Sequence, residues 1–187
     1  MKKIILVISA LVIMVITATF LGLTSKESAG VAGMVDLCSS INKERMKSPS
    51  SYNLLSATVL QSIPSEREKI NKALGHSDSD KILSGELPLK TFNIFISYES
   101  ANSYNALLKS DGFCSFELLG DDAYELMKVR IGDAILSGDT EINDASLLRD
   151  KNIGENTFSN RFKYLNMKYL KGLLVNEGQN QIDFEKD

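Results

Sequence analysis

Lys90-Thr91-Phe92-Asn93-Ile94-Phe95-Ile96-Ser97-Tyr98-Glu99 decides the fold class. Phe92, Ile94, Ile96 and Tyr98 recur at every second position, and Thr91, Asn93, Ser97 and Glu99 fall between them. That alternation describes a β-strand with one buried and one wet face, because successive strand side chains point to opposite sides. Phe95 alone breaks the pattern, an aromatic on the wet side. A strand cannot cover its own apolar face, so the flanking chain must supply sheet neighbours and a cover.

Upstream, Met34, Leu37, Cys38 and Ile41 share one face at helical spacing, which predicts a helix over about 34–47, stopped by Pro49. Tyr52–Gln61 reads as a first strand, with Leu55, Ala57 and Val59 on one face. Residues 63–87 form an insertion in which Ser65-Glu66-Arg67-Glu68 is a capping box and Gly75 ends the helix it starts. Downstream, Ser100–Asp111 reads as a polar loop, Gly112–Leu119 as a third strand and Tyr124–Ile131 as a fourth, joined by a turn at Gly120–Ala123. In the fourth, Met127, Val129 and Ile131 would face inward, and Gly132-Asp133 would close a further turn.

The chain opens Met1-Lys2-Lys3 and then carries no charge from Ile4 to Leu23. A run of about 20 apolar residues predicts a transmembrane anchor or a signal helix over 1–24, with a Gly/Ala tether at 25–33 and the remainder exported. The net charge is −3, which argues against nucleic acid as a partner. Two cysteines, Cys38 and Cys114, read first as one disulfide in an oxidising compartment, worth about 4 kcal/mol by loop entropy. Two buried thiols are the alternative, and two cysteines with one distant histidine do not make a zinc shell. The expected architecture is α+β: an antiparallel sheet of about four strands packed against an N-terminal and a C-terminal helix. The α+β domain spans 34–136; an acidic linker, an amphipathic helix and a tail occupy 137–187.

Cys38, Lys47-Ser48-Pro49-Ser50-Ser51-Tyr52, Asn102-Ser103-Tyr104-Asn105 and Cys114-Ser115-Phe116 together resemble a group of small bacterial periplasmic or secreted proteins and lipoproteins. Their pattern is a helix cysteine, a Lys-Ser-Pro-Ser-Ser-aromatic helix stop, an Asn-x-aromatic-Gly loop and a Cys-x-Phe strand. The resemblance covers about residues 35–135 and implies the same fold and the Cys38–Cys114 pairing. Asn105 stands where the group has glycine, and no lipobox cysteine follows the apolar run. The group brings no activity with it.

Residue types that carry chemistry are sparse. His76 lies in Gly75-His76-Ser77-Asp78-Ser79-Asp80, a loop of small polar residues, and no nucleophile elbow occurs. Asp139-Thr140-Glu141-Ile142-Asn143-Asp144, with Asp150 at the twelfth position, lacks both the glycine and the final glutamate of a calcium loop. Asp121, Asp122 and Glu125 belong to a tight turn, where aspartate is favoured for backbone reasons. No phosphate loop, dinucleotide fingerprint or CxxC pair is present, so neither enzyme nor metal nor cofactor is expected.

One segment stands apart. Thr157–Asn176 holds Arg161, Lys163, Lys168 and Lys171 and no acid, between acidic flanks. Phe158, Phe162, Leu165, Tyr169 and Leu173 recur at helical spacing, and Tyr164, Met167, Leu170 and Leu174 widen the stripe. Most such stripes are core. The functional reading makes Phe158, Arg161, Phe162, Lys163, Tyr164, Lys168, Tyr169 and Lys171 an interaction surface for another envelope protein or an anionic membrane. The function expected is a non-catalytic exported envelope protein; the alternative is a small-molecule or lipid carrier with a pocket between sheet and helices.

Overall fold

The computed structural model describes residues 2–20, 22–44, 46, 48–120, 125–131, 134–137 and 154–181. In chain order the elements are α1 (Lys2–Phe20), α2 (Lys26–Glu44), a 3-10 turn (Pro49–Ser51), β1 (Asn53–Ser62), α3 (Glu66–Ala73), α4 (Ser79–Ser84), β2 (Leu89–Ala101), β3 (Leu107–Leu119), β4 (Glu125–Ile131), β5 (Ala134–Ser137), α5 (Phe158–Leu165), a π-helical turn (Asn166–Leu170) and β6 (Leu174–Gln181). The sheet order is β5-β4-β3-β2-β1-β6.

β2 is the strand its alternation promised. Phe92, Ile94, Ile96 and Tyr98 are buried, and Phe95 is exposed on the opposite face, against Phe113 of β3 with ring centroids 4.9 Å apart. The four-strand antiparallel meander β1–β4 is present, so that part of the expected architecture stands. The sheet is nonetheless larger: β5 extends one side, and β6 pairs parallel with β1 on the other.

α2 covers the buried face, with Met34, Val35, Cys38 and Ile41 in one core with Ile94, Ile96, Cys114 and Phe116. The Cys38–Cys114 disulfide is formed, with Cα atoms 5.8 Å apart. It sits at zero exposure and fastens α2 to β3. Asn42, one turn on, donates to the Cys38 carbonyl at 2.8 Å and lies 3.7 Å from both sulfurs. Gly112 permits this approach: a Cβ there would come within 2.8 Å of Asn42 Oδ1 and 3.0 Å of Ile96.

Four expectations are corrected. The Ile4–Leu23 apolar run does not form one helix, because α1 ends at Phe20 and Gly22 turns with φ +87°. From Ile4 to Phe20 the rise is about 25 Å, against the roughly 30 Å of a bilayer core. Among the described residues no helix is long and apolar enough to cross a membrane. The transmembrane or signal helix, the tether and the extracytoplasmic location built on them are therefore not supported, and the disulfide rests on its geometry instead of its compartment.

The segment 25–33, read as a tether, belongs to α2 from Lys26 onward and is buried from Ser28 to Gly33. Its small residues serve close packing: a Cβ on Gly30 would lie 2.7 Å from the Gly154 carbonyl. The Leu107–Asp111 stretch, read as loop, is strand, because the Asn102 side chain closes the turn tightly by accepting from the Tyr104 and Ala106 amides. Asn105 there takes the left-handed conformation at φ 59°. Finally, the helix expected over Thr157–Asn176 stops early and gives way to β6.

In the insertion, Ser65 and Glu68 form the capping box and Gly75 turns with φ +85°. Ala73 and Ile82 close a small second core with Leu89 and Leu119, and Lys72 pairs with Glu117. Of the turn expected at Gly120–Ala123 only Gly120 is described; the Gly132-Asp133 turn, the inward placement of Met127, Val129 and Ile131, and the acidic Asp139–Asp150 loop lie outside the described residues or their described side chains.

Replacing Cys38 and Cys114 together by serine is expected to lower the unfolding free energy by about 2–5 kcal/mol in urea titrations, since the bridge closes a long loop. An unchanged midpoint would show that packing alone holds α2 on β3.

Candidate functional site

The C-terminal segment divides its stripe between two environments. Thr157 caps α5, its hydroxyl accepting from the Asn160 amide at 3.1 Å. Tyr164 and Met167 turn inward and are buried in the core. Phe158, Phe162, Tyr169 and Leu170 turn outward, at 59%, 46%, 60% and 71% exposure. Past the π turn, Gly172 turns with φ +68°, and the Lys171 and Leu173 amides donate back to Asn166 and Met167. The period then switches to two: Leu173 and Val175 are buried and Leu174 is exposed, as a strand requires.

Three of the four cations of this segment are held in place. Lys163 Nζ meets Asp36 of α2 at 2.8 Å, and Arg161 Nε donates to Asn156 at 2.6 Å. Lys168 donates to the Tyr164 hydroxyl at 2.7 Å and lies 5.2 Å from the centre of its ring. That hydrogen bond holds the Lys168 ammonium above its ordinary pKa. Lys171 is exposed and stands at the mouth of a cleft.

The cleft, of about 550 Å³, opens between α2, the start of β1 and the turn leading into β6. Ser39, Ser40 and Lys43 line its α2 side, and Tyr52, Asn53 and Leu54 its sheet side. Met167, Lys171 and Leu173 complete it. The Tyr52 ring is fixed against Tyr98, centroids 5.1 Å apart, and its hydroxyl accepts from Ser39 at 3.1 Å. Burial pushes the Tyr52 phenol up from its ordinary value, the Ser39 hydrogen bond opposes this, and neighbouring Tyr98 adds to the rise. Sequence reading missed this site. Its residues are scattered over three elements; Lys171, Met167 and Leu173 stand out only as members of the C-terminal segment and Tyr52 only as part of a helix stop, and nothing in the sequence joins them to Ser39, Ser40 and Lys43.

His76 sits in the α3–α4 loop, where its Nδ1 accepts from the Asp78 amide at 3.1 Å. The Ser77 hydroxyl donates to Asp78 at 3.3 Å instead of to the imidazole. Lys81, hydrogen-bonded to Asp78, holds that carboxyl below the ordinary range. These contacts close a turn. Among the described residues no cluster of histidine, cysteine and carboxylate side chains is arranged to hold a metal ion.

In comparisons with known proteins, no family model, no curated protein and no solved structure matches this chain.

Two outcomes follow from the geometry. Tyr164→Ala, which opens a cavity beneath α5, is expected to cost about 3–5 kcal/mol, and Phe162→Ala under about 1 kcal/mol; thermal and urea unfolding measure both. The Tyr52 phenol should ionise above its ordinary pKa in the folded protein. The unfolded chain then loses that proton first, so stability falls as pH rises from about 10 through the folded value. Tyr52→Phe should flatten that alkaline loss in unfolding experiments.

Proposed function

We propose that this chain is a non-catalytic binding module that docks an acidic segment of a partner protein on the outer face of α5 and the π turn. The observation that supports this reading is the division of one stripe. Tyr164 and Met167 already satisfy the core, yet Phe158, Phe162, Tyr169 and Leu170 remain outside beside them. Aromatic anchors mixed with cations that outnumber the acid beside them, the Asp36 paired with Lys163, are the composition of a surface that meets an acidic, partly apolar partner. The segment Thr157–Asn176 carries no acid, in a chain whose net charge is −3, so its positive character is local. Two of the cations sit in fixed positions, Lys163 through Asp36 and Lys168 through Tyr164, which lowers the ordering cost of recognition. The cleft beside this face is open and partly polar, which does not suit a lipid cavity.

Selection of displayed peptides on the full chain tests the reading. Enriched peptides should carry Asp or Glu around apolar anchors, weaken at high salt and fail to bind Phe162→Asp or Tyr169→Asp protein that melts as the parent does. Peptides without acids, or equal binding to both variants, would remove the proposal. Sedimentation with anionic vesicles in the absence of any peptide binding would transfer the face from protein to lipid.

A further inference from the structure

The cleft behind that face has a chemistry of its own, independent of the docking surface. Its charges do not cancel. Asp36, the acid on its wall, is paired with Lys163 at 2.8 Å, whereas among the described residues no carboxylate pairs with Lys43 or Lys171. The cleft is therefore locally cationic in an acidic protein. Its hydroxyls are oriented in a compatible way. The Tyr52 oxygen accepts from Ser39, which leaves the phenol proton to donate elsewhere, and Ser40 adds a second hydroxyl. Behind these groups lie apolar side chains, Leu54, Met167 and Leu173. A volume of about 550 Å³ falls in the range of small-molecule sites.

We infer that the cleft between α2, β1 and the α5–β6 junction binds a small organic carboxylate, its anionic head between Lys43 and Lys171 and its apolar body against Leu54 and Met167. The carboxylate accepts from the Tyr52 hydroxyl and exchanges its hydration for two ammonium groups; the body covers the apolar side chains of Leu54 and Met167. A neutral molecule of the same shape lacks the first interaction, and inorganic phosphate lacks the second.

Nuclear magnetic resonance titration of the full chain with 3-phenylpropionate, hexanoate, 3-phenylpropanamide and inorganic phosphate tests this. The expected result is saturable shifts of the Ser39–Lys43, Tyr52–Leu54 and Lys171 amides with one or both carboxylates. The stronger of the two tells an aromatic from an aliphatic body. Lys43→Gln with Lys171→Gln should weaken binding about tenfold. Tyr52→Phe, which keeps the ring against Tyr98, should weaken it severalfold and guards against a misfolded lysine variant. Absence of saturable shifts, equal binding of the neutral amide, tight binding of phosphate alone, or unchanged affinity in both variants would each overturn the assignment.

Discussion

The contact on which the structure depends is the seam between α2 and β3. A helix is held to a sheet by buried apolar area, which fixes distance but tolerates sliding. Here the Cys38–Cys114 bridge removes the sliding freedom at one point, and Asn42 and Gly112 make the same point impossible to shift by a turn. Asn42 is buried and must keep its hydrogen bond to the Cys38 carbonyl, since a buried amide without a partner is costly. Gly112 leaves room for Asn42, whose Oδ1 a Cβ at that position would meet at 2.8 Å. Chemistry, hydrogen bonding and shape therefore specify the same register.

Everything on the far side of α2 inherits that register. α5 packs on α2, and the Asp36–Lys163 pair ties the two across their exposed edges. The π turn and Gly172 then redirect the chain so that β6 begins at Leu174, with Leu173 and Val175 buried on either side of it. Because β6 runs parallel to β1, its start comes beside Ser56 and Ala57, and the turn before it overhangs the beginning of β1. The cleft is the space left under that overhang. One short segment thus closes the core with Tyr164, Met167 and Leu173, extends the sheet from Leu174 onward, and leaves its remaining aromatics to solvent.

Much of this was legible in the residues, and what was not has definite physical causes. The alternation of β2 and the capping box of α3 are local patterns, in which each residue's neighbour along the chain supplies the constraint. Segment 28–33 misled because small residues have two uses. Glycine and alanine loosen an unpacked chain, but they also let two backbones touch, as Gly30 and Gly154 do. Only the distant partner tells the two apart. Leu173 misled for a similar reason. It lies four residues beyond Tyr169, so it continues a helical stripe, and it also starts the alternation Leu173, Leu174, Val175 that the strand uses. The decision falls to Gly172, whose φ of +68° ends the helix. Ile4–Leu23 is uniform in composition, and uniformity conceals the break that Gly22 introduces.

The seam also bears on how the surfaces work. A site whose walls come from α2, β1 and the α5–β6 junction is only as well defined as the relative placement of those elements. Were α2 free to rock on the sheet, Ser39 and Lys43 would move against Tyr52, and a ligand would have to spend part of its binding free energy ordering them. The bridge at Cys38 lies one residue before Ser39, so the anchoring point and the cleft wall belong to the same turn of helix. The Ser39–Tyr52 hydrogen bond then carries that rigidity across to the start of β1. Rigidity of this kind favours recognition without rearrangement, and it is set by a covalent bond buried at zero exposure, outside the lining of the cleft.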